Sequence, residues 1–325
     1  MKTHQVQQKT ERRISAALRL VFVAALLLGQ IALAFFLSTE LRQRAAIIYT
    51  VLELAAFGYA VRIYNRTDGA SYKFGWIFLV LTVPVVGLIL YFLWNGDRQQ
   101  KRLDLKKLPM PEEPEAQQAA HRIQMEKLRR KFPQWERLSV YLSRQGYLLY
   151  GDTETRYLPA GEMFLQDMLE KLEQAEHFIF LEFFIIAQGQ IWDHMEEIFR
   201  RKAAAGVEVK IIFDDFGSMM RFPAGQIEAL RESGVEVQVF NPVHHYVNRL
   251  YFNYRDHRKI VCIDGSTAYT GGANVADEYA NLTVRFGYWK DCGIRLDGPG
   301  AWGLTREFLH MWQRNGGQLM QERDY

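Results

Sequence analysis

His257-Arg258-Lys259-Ile260-Val261-Cys262-Ile263-Asp264-Gly265, followed shortly by Gly271-Gly272-Ala273-Asn274, is the stretch on which the reading of this chain turns. Arg258 to Ile263 is largely apolar and β-branched, and Asp264-Gly265 is a turn signal. The segment therefore reads as a short strand running into a tight turn. Side chains alternate along a strand, so His257 and Lys259 project from one face. Asp264 lies an odd number of residues from His257, so it belongs to the turn. An imidazole beside a fixed ammonium suits attack on a phosphoryl group, with the ring as nucleophile and Lys259 neutralising the phosphate oxygens. The Gly271-Gly272 turn and Asn274 could offer N–H groups and an amide to the same oxygens.

The chain has 325 residues, enough for more than one domain. Hydrophobic residues make up 49% and aromatics 14%, so part of the chain is expected to meet lipid. The formal net charge of +3 is small, but the basic residues are clustered. Cys262 and Cys292 are the two cysteines, and both read as small buried hydrophobes. That excludes a disulfide framework and fits a reducing, cytoplasmic catalytic domain. No His and Cys cluster has zinc spacing, and no Walker loop or GxGxxG follows a strand, so neither a metal nor a cofactor is expected.

Three apolar runs open the chain and place a membrane-spanning region at 1–96: Ile14 to Leu37, Ala45 to Ile63 and Phe74 to Trp94. The third reads as the clearest span, charge-free, with Trp76 and Trp94 near its ends and Pro84 and Gly87 inside. The middle run carries Glu53, costly in lipid unless paired. Arg98, Lys101, Arg102, Lys106 and Lys107 follow the third run and argue for a cytoplasmic side there. Three spans would put the basic amino terminus outside, which the same rule disfavours, so orientation stays open. Leu108 to Pro114 is a proline-rich linker, and Glu115 to Lys131 has a helical composition whose Arg129-Arg130-Lys131 end could rest on anionic lipid. These make up a basic linker and helix at 97–133.

From residue 134 to 325 helical and strand patterns alternate. Helices are expected over Gly161–Ala175, Gln190–Ala205, Pro223–Ser233 and Ala301–Arg314. Strands are expected over His177–Ala187, Val207–Phe213, Val235–Phe240 and Cys292–Leu296. The expected fold is an α/β sandwich with a mixed sheet. Glu182 interrupts a buried strand, Asp214-Asp215 ends another and Asp291 begins a third. Each acid needs a partner or a cleft, and a salt bridge and a substrate role both remain open. His244-His245 reads as loop surface.

The spacing His-x-Lys-x-x-x-x-Asp resembles the signature of the phospholipase D superfamily. Within it, His257 to Asn274, Ala276-Asp277-Glu278-Tyr279, Trp289-Lys290-Asp291, Leu181 to Ile185, Phe213 to Ser218 and Ser71 to Gly87 resemble bacterial cardiolipin synthases. The resemblance implies transfer of a phosphatidyl group, two phosphatidylglycerols giving cardiolipin and glycerol, without a metal. It implies that one histidine forms a phosphohistidine while another protonates the leaving alkoxide. His257, Lys259 and Asp264 would be catalytic, with Asn274, Gly271, Gly272 and Glu182 around the substrate. The implied location is the cell membrane, multi-pass, with phosphatidylglycerol and membrane phospholipid as partners and no nucleic acid.

Family members carry two such motifs, and this chain has one. The soluble part therefore reads as half of a two-lobed unit. It is expected to be a truncated product, to be completed in a homodimer, or to be catalytically silent. A membrane-tethered phosphodiesterase or nuclease is the alternative enzyme, with Arg249, Tyr251, Tyr254 and Arg255 as its basic, aromatic cluster. A non-catalytic protein binding anionic lipid is the alternative from another class.

Overall fold

The computed structural model describes residues 42–66, 69–94, 115–242 and 255–319, with scattered positions between 21 and 35. Apart from those scattered positions, the first apolar run lies outside these residues, as do the basic segment and linker at 97–114 and His244-His245 with Arg249, Tyr251 and Tyr254. The chain divides into two compact units.

In the first unit, α1 (Arg42–Tyr64), α2 (Ala70–Thr82) and α3 (Pro84–Trp94) pack on one another. Ala56, Ile63, Trp76, Val80, Val86, Leu90 and Tyr91 form their small core. Trp76 meets Tyr91 edge-on, with ring centroids 5.5 Å apart. Within α1, Ile47–Tyr64 has a mean hydropathy of 1.4 and, among the described residues, is the one helical stretch long and apolar enough to cross a bilayer. Ile47, Val51, Leu54 and Phe57 are each about 60% exposed or more, as lipid-facing side chains are in a bare protein.

The expected order of the runs is thereby reversed. Phe74 to Trp94, read as one clear span, is two short helices that break at Val83, where φ is −133° and ψ is 71°. Pro84 supplies no N–H and disfavours helical geometry in the residue before it. The returning α3 comes so close that a Cβ on Gly87 would collide with the Leu79 carbonyl.

The second unit starts with α4 (Glu115–Lys131) and α5 (Glu136–Arg144), joined by a 3₁₀ turn at Pro133–Trp135. There follow β1 (Glu154–Leu158), α6 (Gly161–Leu172), β2 (Phe178–Phe183), α7 (Gln190–Ala204) and β3 (Glu208–Asp214). Next come the single turn α8 (Asp215–Ser218), α9 (Ala224–Glu232), β4 (Glu236–Phe240), β5 (Ile260–Ile263), β6 (Thr267–Gly271), β7 (Gly293–Asp297) and α10 (Ala301–Arg314). The seven strands form one sheet in the order β1-β7-β6-β5-β2-β3-β4. β2, β3 and β4 run parallel, linked by helical crossovers, while β2–β5 and the strands beyond pair antiparallel. This is the expected mixed sheet.

Alternation along the strands assigns each side chain to one of two cores. Ile179, Leu181 and Phe183 of β2 join Val261 and Ile263 of β5 beneath α6, α7 and α9. Phe178 and Phe180 join Ile260 and Cys262 beneath α10, where the Phe180 and Phe308 rings stack 4.8 Å apart. Two strands escape the sequence reading. β1 is ETRYL, exposed at four of its five positions, and β6 is TAYTG; neither has the apolar content that marks β2 and β3.

Candidate active site

β5 is shorter than the sequence suggests. Residues 255–259 lead into it outside the ladder, and His257 and Lys259 both lie on that approach. Asp214, at the end of β3, fixes it. Its buried carboxylate accepts the Asp256 N–H at 3.0 Å and the Phe216 N–H at 2.8 Å, and pairs with Arg255 at 3.3 Å. Burial lifts this carboxyl above the ordinary aspartate range, against the opposing pull of Arg255 and of the main-chain N–H groups.

The structure brings His257 and Lys259 together. Lys259 Nζ stands 3.2 Å from His257 Nδ1 and donates to the His257 carbonyl at 2.7 Å. His257 is exposed, whereas Lys259 is only 3% exposed, so a fixed ammonium underlies an accessible imidazole. Phe184, just past the end of β2, completes the group. Its ring centroid lies 4.7 Å from that of His257 and 5.5 Å from Lys259 Nζ. Burial lowers the Lys259 pKa to about 8, with Asp256 and Asp291 pulling against it. Burial first, and then the Lys259 charge, lower the His257 pKa below its usual value, with Asp256 opposing. Both effects favour the neutral form of the imidazole, the form a nucleophile needs.

The other candidate residues are placed elsewhere or are otherwise engaged. Asp264 stands beyond the far end of β5, seven residues from His257, a span of about 20 Å in extended chain. Its carboxylate accepts the N–H groups of Glu176, His177 and Phe178, each at 2.8 Å. It clamps the start of β2 and does not touch the site.

Glu182 points to the opposite face of the sheet, where its buried carboxyl group lies 2.7 Å from Arg258 Nη2 without in-line hydrogen-bond geometry. Neighbours along the chain, Arg258 and Lys259 therefore serve opposite faces. Asn274 accepts the Ile185 N–H at 3.0 Å and donates to the Tyr279 hydroxyl at 2.8 Å, so its amide ties the chain after β2 to the turn after β6. Gly272 donates its N–H to the Cys292 carbonyl at 3.0 Å. A Cβ on Gly271 would strike the β7 main chain, and one on Gly272 the Asp291 carboxylate. In this structure Gly271 lets the start of β7 approach, Gly272 lets Asp291 approach, and the Gly272 N–H is turned to protein.

Cys262 is buried as expected, but Cys292 is exposed. It sits one residue before β7. Phe184, Asp256 and Asp291 are the site's neighbours that spacing alone did not single out together. Phe184 sits inside the Leu181–Ile185 segment already noted for its acid. Among the described residues, no three His, Cys, Asp or Glu side chains gather as metal ligands would.

Residues 168–284 match the family described as "Cardiolipin synthase, PLD-like domain", and residues 54–95 match "Phospholipase_D-nuclease N-terminal". An uncharacterised protein of Streptococcus mutans is 37% identical over 241 residues, covering 73% of this chain and 51% of that one. Cardiolipin synthase 2 of Bacillus anthracis is 31% identical over 273 residues, covering 84% of this chain and 53% of that one. A solved phospholipase D family member, Nuc from Salmonella typhimurium, is 19% identical, covers 50% of this chain and 93% of that one, and has a TM-score of 0.36. The chain spans about half the length of the curated relatives it matches. On the likeness to cardiolipin synthase 2 across 84% of its length, together with its His257-x-Lys259 motif and mixed α/β sheet, the chain belongs to the cardiolipin-synthase-like branch of the phospholipase D superfamily.

Proposed function

We propose that the chain carries one half of a phosphatidyltransferase site that makes cardiolipin from two phosphatidylglycerol molecules at the cell membrane, with its catalytic lobe on the cytoplasmic side. The observation that carries this reading is the accessible His257 imidazole held 3.2 Å from the buried Lys259 Nζ. A ring-nitrogen lone pair attacks the phosphorus of the first phosphatidylglycerol. The bond from phosphorus to the glycerol headgroup breaks, and glycerol leaves with a proton from an acid opposite. The resulting phosphohistidine is attacked by a headgroup hydroxyl of the second phosphatidylglycerol, whose proton goes to the same opposing group. Cardiolipin forms and His257 is regenerated. Lys259 neutralises the phosphate oxygens through both steps.

The opposing acid in this reading is a second histidine, as the resemblance to the superfamily implies, and this sequence has one His-x-Lys-x-x-x-x-Asp motif. A second copy of the chain, or further chain carrying another motif, supplies it. The test uses the full chain in vesicles with phosphatidylglycerol labelled in the headgroup glycerol. Cardiolipin and free glycerol in equal amounts, with acid-labile phosphate on His257 trapped at early times, support the reading. Release of phosphatidic acid without cardiolipin would replace it with a phosphodiesterase.

A further inference from the structure

We propose that the hairpin of α4 and α5 is a docking surface for an anionic phospholipid bilayer, separate from the apolar helices of the first unit. The proposal does not rest on the reaction assigned to His257. It starts from α5, which buries none of its residues. With about 100° of rotation per residue, its nine positions and the preceding Trp135 sort into three stripes. Glu136, Ser139, Val140 and Ser143 share one face, are the partly covered positions and lie towards α4. Arg137 and Arg144 form a second face. Trp135, Leu138, Tyr141 and Leu142 form the third, exposed by 54%, 49%, 60% and 39%. An apolar stripe directed away from its own protein, flanked by a basic one, is the pattern of a helix lying in a membrane interface. Trp and Tyr are the side chains that settle at the headgroup level.

The electrostatics select the kind of lipid. Arg122 to Arg144 holds seven basic residues against Glu126 and Glu136. The whole chain carries only +3, so the basic excess is concentrated here and the remainder is slightly negative. Arg122, Arg129, Arg130 and Arg144, with His121 and Ser143, line a groove of about 830 Å³ between the two helices. Arg129 and Arg130 pair with Glu136 and Glu126 at the surface, and their side chains stay 56% and 77% exposed, so the hairpin keeps a positive field around it. His121 keeps the hairpin rigid, since its ring meets Ser143 Oγ at 3.2 Å and accepts the Leu149 N–H at 2.8 Å. The apolar stripe enters the interface while Arg137 and Arg144, on the adjoining face of α5, reach the headgroup phosphates.

The test is made on the full chain in a Cys292→Ser background, with an environment-sensitive fluorophore on Leu138→Cys and, as a control, on the exposed Glu170→Cys. Vesicles of pure phosphatidylcholine are compared with vesicles containing phosphatidylglycerol. Expected is a blue-shifted emission at position 138 alone, quenched by shallow lipid-borne quenchers, and stronger with phosphatidylglycerol. A basic residue at an anionic surface is worth about five-fold in binding. Arg137→Glu with Arg144→Glu should therefore lower the docked fraction's equilibrium by about 25-fold or more, while Arg137→Lys with Arg144→Lys retains docking and shows that the hairpin is folded. Solvent-like emission in both vesicles would overturn the proposal. So would a blue shift indifferent to lipid quenchers, which would mean that a second copy or another protein covers the stripe. Equal quenching in both lipids would overturn the anionic selectivity.

Discussion

Arg258 and Glu182 meet at 2.7 Å on the face of the sheet opposite His257 and Lys259, so two neighbouring basic residues divide between structure and chemistry. Arg258 also reaches Glu307 of α10 at 3.0 Å and Asp256 at 3.4 Å. Three carboxylates share one guanidinium, and the most buried of them carries the excess. Burial, with Asp256 adding to it, pushes the Glu182 carboxyl well above the ordinary glutamate range despite the Arg258 charge.

The sign of the pH effect follows from that shift. A carboxyl whose folded pKa is raised above its unfolded value contributes stability that is complete below the unfolded pKa. That stability is lost as pH rises through the folded value, at about 1.4 kcal/mol per pH unit between the two. Glu182→Gln, a neutral near-isostere, should remove this dependence and gain on wild type as the solution becomes more alkaline. Thermal unfolding of both proteins in detergent across pH checks it. Parallel curves would mean that Glu182 is ionised in the fold at every pH tested.

Asp264 gives a second prediction, because it supports β2 rather than the reacting atoms. Asp264→Ala leaves three N–H donors without their acceptor, among them the partly buried one of Phe178, and should cost about 1–3 kcal/mol. Asp264→Asn keeps an acceptor oxygen and suits the left-handed backbone there, where φ is 51°, so it should cost less. Turnover per folded molecule should stay within a few-fold of wild type in both. A loss comparable to that of His257→Ala, with the melting temperature unchanged, would return Asp264 to the chemistry.

The cysteines offer a direct check on the fold around β5 and β7. Burial pushes the Cys262 thiol up to about 12, and it lies within the core under α10, whereas Cys292 is exposed. A thiol reagent should modify one cysteine per native chain and two after denaturation, and mass spectrometry of peptides should place the native label on Cys292. Rapid native labelling of Cys262 would contradict the burial of β5.

The legibility of this chain follows the physics of each part. The parallel strands β2 and β3 are covered on both faces, so their apolar runs announce them. β1 and β6 are identified only by the neighbours they pair with, which no local pattern carries. Spacing brings out His257 and Lys259 because two residues along extended chain share a side. The same local argument says nothing of Phe184, contributed by the far end of another strand. Nor does it reveal that Asn274 and Gly272 spend their polar groups on Ile185, Tyr279 and Cys292. Glu182 is legible as an acid in need of a partner, but choosing between substrate and Arg258 requires the register of β2 against β5. For the apolar run Phe74 to Trp94, length and hydropathy point to a span, while Pro84 alone carries the information that it breaks.

The His257–Lys259 pair predicts the shape of the pH–activity curve. The neutral imidazole is the attacking species, and its pKa is lowered, so the acid limb should fall below 6.5, the ordinary histidine value. Activity is present above that limb and lost as pH drops through it. Lys259 serves only while charged, and its pKa is about 8, so activity should decline again as pH passes about 8. Three variants separate the contributions. His257→Ala should lose activity by about ten-thousand-fold or more, as removal of a nucleophile does. Lys259→Met should lose about a hundred- to a thousand-fold, the usual consequence of deleting one group that stabilises developing charge. Lys259→Arg keeps the charge at every accessible pH, since a guanidinium does not titrate there, so the alkaline limb should move upward. Steady-state phosphatidyl transfer in vesicles from pH 5 to 10 measures all three. If the limb near 8 persisted unchanged in Lys259→Arg, the titrating group would be the opposing acid and not Lys259, and the ammonium would be charged throughout the working range.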